Sequence, residues 1–148
     1  MYTRILIATD GSDLAQRGVD HGLALAKAIG ARVTFVVVSE LLTGGALAGE
    51  PATGLFARTA ELKQASEAAA RKILDQVKVQ ATKRSVPCEL VHVKDKLPAE
   101  GILDTAADRG CDLIVMSSHG ARGIERMLLG SEANEVVTSA KMPVLVVK

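Results

Sequence analysis

Four short apolar runs, each about one strand long and each stopped by glycine, proline or small polar residues, constrain this chain more than anything else in it. Residues 5–8 read Ile-Leu-Ile-Ala, 33–38 Val-Thr-Phe-Val-Val-Val, 113–116 Leu-Ile-Val-Met and 144–147 Val-Leu-Val-Val. Runs with so little alternation fit strands buried on both faces, as in a parallel sheet; a strand with one wet face would alternate. A fifth candidate, residues 89–93, follows Pro87 and alternates.

Segments of helical character separate these runs. Ser12 is an expected N-cap with Asp13 in the first turn, and the helix it opens should run to about Ile29, where Gly30 ends it. Gly18 and Gly22 lie four apart and share one helix face, which allows close packing on a sheet. Residues 59–84 read as a long helix with an apolar stripe of Leu62, Ala69, Ile73, Val77 and Ala81. Pro98 suits the start of a helix reaching about Asp108, which Gly110 closes, and a last helix spans 131–139. The order βαβαβαβαβ predicts an α/β fold, an open parallel sheet with helices on both faces. Residues 40–56 contain four glycines and Pro51 and read as a long loop, with a mobile flap over 44–54.

The length of 148 residues fits one domain, 1–148. The 18 basic and 17 acidic residues nearly cancel, and the aromatics are only Tyr2, Phe35 and Phe56, so neither a basic footprint nor a base-stacking platform for nucleic acid exists. No segment approaches the ~18 apolar residues a membrane-spanning helix needs. Cys88 and Cys111 form no CxxC pair and the N-terminus lacks a signal-peptide layout, so a cytoplasmic protein with buried thiols is expected.

In open α/β sheets ligands sit beyond the carboxyl ends of the strands. Three features fall there: Ala8-Thr9-Asp10, Val38-Ser39-Glu40, and Ser117-Ser118-His119-Gly120. If the first and fourth strands are neighbours, all three line one crevice. Ten residues past Gly120 comes Gly130-Ser131, where a helix opens. Its first amides have no internal partner and can face an anion, and glycine lets a phosphate approach the main chain. Each residue also has a plainer role open to it. Asp10 could accept ribose hydroxyls or cap the following helix. Gly130-Ser131 could hold phosphate or only start the helix, and His119 could touch a ligand or bond to local backbone. Arg122 and Arg126 could neutralise phosphate or stand in solvent. No P-loop, no GxGxxG, no metal-ligand cluster and no Ser-His-Asp arrangement is present, and His21 and His92 stand isolated.

At these residues the chain resembles the universal stress protein family, in its nucleotide-binding branch. The family pattern of glycine, two residues, glycine, nine residues, glycine and Ser or Thr falls on Ser117, Gly120, Gly130 and Ser131. The opening strand running into Thr9-Asp10-Gly11 and the closing strand after Pro143 match as well. The resemblance implies a Rossmann-like fold of the adenine nucleotide alpha hydrolase-like kind, with five strands in the order 3-2-1-4-5. It implies a homodimer through Val144–Val147. It implies ATP, ADP or AMP as ligand, a triphosphate ordinarily bringing a divalent cation such as Mg²⁺. Ala8, Thr9, Asp10 and Val38 would hold adenosine. Met116, Ser117, Gly120, Gly130 and Ser131 would frame ribose and phosphates, with Glu132 beside them at the helix start.

The implied function is a dimeric stress-response or signalling factor with little or no hydrolysis. The alternatives are an interaction protein without nucleotide and a weak ATPase. Ser117 stands where the pattern has its first glycine; a positive φ there would cost about 1 kcal/mol. The Glu132 carboxylate suits a helix start but repels phosphate. Gly130→Val is expected to obstruct phosphate and leave the fold intact.

Overall fold

The computed structural model describes residues 1–40, 52–120 and 129–148, with side chains of 52–58 outside the described set. The chain runs β1 (Arg4–Ala8), α1 (Asp13–Ile29), β2 (Arg32–Ser39), α2 (Ala52–Lys83), β3 (Cys88–Lys94), α3 (Pro98–Asp108), β4 (Leu113–Ser117), α4 (Ser131–Ser139) and β5 (Val144–Val147). All four strand pairings are parallel and the order is β3-β2-β1-β4-β5. β1 and β4 are therefore neighbours, and the chain leaves them toward opposite edges of the sheet.

Strand alternation divides the core into two layers. Ile5 and Ile7 join Val33, Phe35 and Val115 beneath α1 and α2, together with Val19, Leu23 and Val77. Leu6 and Ala8 face the other way with Val36, Ile114 and Met116, packed on Ile102 and Ala106 of α3 and Val136 of α4. Burial on both faces explains why β1 and β4 read as unbroken apolar runs.

α1 is built as its sequence demands. Ser12 Oγ accepts from Ala15 N at 3.1 Å, and Gly30 ends the helix in the left-handed region at φ 70°. Gly18 and Gly22 face the sheet directly. A Cβ on Gly18 would lie 3.2 Å from Ser117 N, and one on Gly22 would lie 2.5 Å from Ile7 Cδ1.

α2 departs from the expectation in two ways. It begins at Ala52, inside the stretch read as loop, so of the expected 44–54 flap the last residues are helical and the others lie outside the described residues. Its buried stripe is Ala70, Leu74, Val77 and Ala81, with Ile73 packed beside it, while Ala69 and Leu62 are exposed. A helix of 32 residues is about 48 Å long and β2 only about 26 Å, so one half of α2 has no sheet beneath it. Leu62 lies on that half.

Candidate functional site

A cleft of about 510 Å³ opens at the carboxyl ends of β1, β2 and β4, where the strand order reverses. Ala8, Thr9, Asp10, Val38, Met116, Ser117, Gly120, Gly130, Ser131 and Glu132 all line it. These ten residues are thus brought to one place, while Ser39 does not line the cleft. Arg122 and Arg126 lie outside the described residues.

The floor is set by hydrogen bonds of the chain leaving β1. Thr9 N extends the ladder to Val36 O at 3.1 Å, and Thr9 Oγ1 accepts from Gly11 N at 3.2 Å. Asp10 Oδ1 accepts from Ser12 N at 2.9 Å, so this carboxylate shapes the turn into α1. Its other oxygen faces Gly120, where a Cβ would lie 2.8 Å from Asp10 Oδ2. Ser12, not Asp10, caps α1; Asp10 instead holds the turn that leads into it.

The opposite wall joins the end of β4 to the start of α4. Ser118 N donates to Val147 O and Ser118 O accepts from Gly130 N, both at 2.8 Å. A Cβ on Gly130 would lie 2.7 Å from Ser118 O. Gly130 has φ −64° and ψ 156°, an ordinary extended conformation, so glycine is needed for close backbone approach and not for its torsional freedom. This corrects the expectation that Gly130→Val spares the fold: the added side chain meets a backbone carbonyl that is already hydrogen-bonded. Ser117 is the last residue of β4, paired with Val147, and is not among the residues at positive φ. The expected strain is absent, and the Ser117 hydroxyl donates to His119 O at 2.7 Å.

His119 Nδ1 lies 3.1 Å from Ser118 Oγ, while Nε2 is buried without a hydrogen-bond partner among the described residues. An orphaned ring nitrogen at the edge of a cleft is a point where a ligand atom could bond. α4 starts with Ser131 and presents its first amides here, Gly130 capping it without a side-chain bond.

The electrostatics are unusual for an anion site. Asp10, Glu40 and Glu132 all line the cleft, and among the described residues no lysine or arginine does. Burial, then the charges of Asp10, Glu40 and Glu135, push the Glu132 carboxyl up to about 6. No three His, Cys, Asp or Glu side chains among the described residues are arranged to hold a metal ion.

Sequence reasoning missed one wall of the cleft. Pro98 and Ile102 of α3 close one side of the cleft, and Val38 is pressed so close to α3 that a Cβ on Gly101 would lie 2.7 Å from its Cγ2. No local signal marks those residues, since their place depends on which face α3 covers. His92, read as isolated, lies 2.7 Å from Ser39 Oγ across the β2–β3 pair.

The sequence profile of the Universal stress protein family matches residues 1–148. The chain belongs to that family. It is 34% identical to Universal stress protein MJ0531 of Methanocaldococcus jannaschii, over 100% of this chain and 83% of the relative. The universal stress protein UspA from Lactobacillus plantarum has the same fold at a TM-score of 0.84 and 25% identity, covering 99% of this chain and 98% of that one. The universal stress protein from Archaeoglobus fulgidus in complex with dAMP shares the fold at a TM-score of 0.68 and 23% identity, covering 99% and 98%. No helix among the described residues is long and apolar enough to cross a membrane.

Proposed function

We propose that this universal stress protein binds an adenine nucleotide in the cleft at the ends of β1, β2 and β4. It acts as a dimeric, cytoplasmic stress-response factor and not as an efficient phosphotransferase. The observation carrying this reading is the start of α4 at the cleft, where Gly130 packs so close to the Ser118 carbonyl that no Cβ fits. Unpartnered amides at a helix start, within a concave pocket of ordinary ligand size, suit a phosphate. Ala8, Thr9, Asp10 and Val38 take the nucleoside; Met116, Ser117, Gly120, Gly130, Ser131 and Glu132 border the phosphates. The dAMP held by the A. fulgidus relative is consistent with this class of ligand. A triphosphate would bring Mg²⁺ coordinated chiefly by its own oxygens.

The test is to purify the protein without added ligand, denature it and identify released nucleotide by chromatography, then titrate adenosine, AMP, ADP and ATP calorimetrically. Stoichiometric release, or saturable binding, is expected. An empty protein that binds none of the four would refute the reading.

A second reading is favoured by the acidic lining. A cleft bordered by Asp10, Glu40 and Glu132 repels phosphate, and a chain that had given up nucleotide would work through its surface alone. Absence of binding in the same titration is its expected result.

A further inference from the structure

The proposed phosphate end of the cleft contains a carboxylate that opposes phosphate. Glu132 is the second residue of α4, lines the cleft and is half-buried. Among the described residues, the charged groups acting on it are Asp10 beyond β1, Glu40 beyond β2 and Glu135 on its own helix, and His119 beyond β4 lines the same cleft. α3 contributes only Pro98 and Ile102 to the cleft, and β5 contributes nothing. The helix start itself favours negative charge, but it offers that field to whichever anion occupies it. A phosphate and the Glu132 carboxylate would compete for the same amides at close range.

We propose that Glu132 sets the phosphate charge this cleft accepts: a phosphate enters at full affinity only when Glu132 takes up a proton. The inference rests on the nucleotide reading above. Its first consequence is selectivity. Adenosine is indifferent to Glu132, AMP is disfavoured by its charge, and ATP more so. Its second consequence is proton linkage. The Glu132 carboxyl, already raised to about 6 by burial and its acidic neighbours, is raised further by a bound phosphate. Binding therefore takes up a proton above pH 6, and affinity for phosphate rises as pH falls. Below that range Glu132 is already neutral and the effect ends. Neutral Glu132 also becomes a hydrogen-bond donor that a phosphate oxygen can accept.

The test compares the natural chain with Glu132→Gln, which keeps the shape and removes the charge, by calorimetry with adenosine, AMP and ATP at pH 5.5 and 7.5. At pH 7.5 the variant is expected to bind ATP about tenfold more tightly, the scale of one like-charge contact at a partly buried site. AMP should gain less and adenosine nothing. At pH 5.5 the two chains should converge. The terminal phosphate titrates near pH 6 and His119 also lies in the cleft, but both are common to the two proteins, so their difference isolates Glu132. Equal ATP affinity of the two chains at pH 7.5, with adenosine bound normally, would overturn the charge filter and leave the nucleotide reading standing. A gap that persists at pH 5.5 would also overturn it, since shape and not charge would then explain the gain. If neither chain binds any of the three at either pH, the nucleotide reading falls and the filter with it.

Discussion

Asp10 and Gly120 meet across the cleft so closely that a Cβ on Gly120 would lie 2.8 Å from Asp10 Oδ2. Glycine here leaves space for a carboxylate whose other oxygen already holds Ser12 N. Gly120→Ala should turn the Asp10 side chain aside without moving backbone, since the clash is with the end of a flexible side chain. Stability should stay within about 1 kcal/mol. A hydrogen bond to a charged group contributes about 1.5–3 kcal/mol, so adenosine affinity should fall roughly tenfold or more. Calorimetry and a thermal melt on one preparation check both halves.

Gly22→Ala should do the reverse. Its Cβ would lie 2.5 Å from Ile7 Cδ1, and Ile7 is fully buried between β2, β4 and α1 with nowhere to turn. Overpacking of this kind costs about 1–3 kcal/mol, partly offset by alanine's higher helix propensity. A lower urea midpoint with unchanged slope and unchanged nucleotide affinity is expected.

Most of the fold could be read from these same positions. Ser12 and Gly30 bound α1 because cap chemistry is local, and unbroken apolar runs marked β1 and β4 because burial on two faces removes the need for polar residues. Ala69 shares a turn with the buried Ala70 and faces outward, while the error over Leu62 has the opposite origin. Helical periodicity tells which residues share a face, but not how far the sheet extends beneath it, and α2 overhangs. In the site, Ser117, Gly120 and Gly130 were legible through their spacing. The reason for Gly130 was not, because the Ser118 carbonyl it meets is brought there by the loop from β4. Glu40 and Glu132 lie far apart in sequence, and only the sheet order places both in one cleft.

Glu132 also affects folding in a pH-dependent way. Its carboxyl titrates at about 6 in the folded chain against 4.5 in the free group, so the folded state binds more protons between those values. Ionised Glu132 therefore destabilises the fold above pH 6, and that penalty disappears as pH falls to 4.5 and below. Glu132→Gln should stabilise the protein by about 1 kcal/mol at pH 7.5, discounting the shift for partial exposure, and by nothing at pH 4. Denaturant midpoints at the two pH values check the sign.

Asp112 shows the opposite sense. Burial pushes its carboxyl up, but hydrogen bonds from Thr3 N at 2.8 Å, Arg4 N at 3.1 Å and Thr3 Oγ1 at 2.9 Å outweigh this and hold it below its ordinary value. The group contributes stability above pH 4, lost as pH falls through its lowered folded value. It ties the start of β1 to the start of β4, where Asp112 N also donates to Arg4 O at 2.9 Å. Asp112→Ala should lose about 1–2 kcal/mol at pH 7, in line with exposed hydrogen bonds to a charged acceptor. The difference from the natural chain should shrink toward pH 2.

β5 is an edge strand, and its hydrogen bonding shows which way its free groups point. Pro143 O and Val147 O accept from Ile114 N and Ser118 N of the β4 side. Odd-numbered residues of β5 therefore bond inward, and the N–H groups of Val144 and Val146 face away from the sheet. An apolar edge with unpaired amides invites a second strand, and the homodimer proposed for this protein would form there. Val146→Pro removes one outward amide and none of the bonds to β4. Light scattering of the natural chain should give twice the 15.5 kDa chain mass, and the variant should give the monomer mass with its far-ultraviolet spectrum unchanged. A monomeric natural chain at micromolar concentration would remove the dimer from the proposed function and leave the cleft, built within one chain, unaffected.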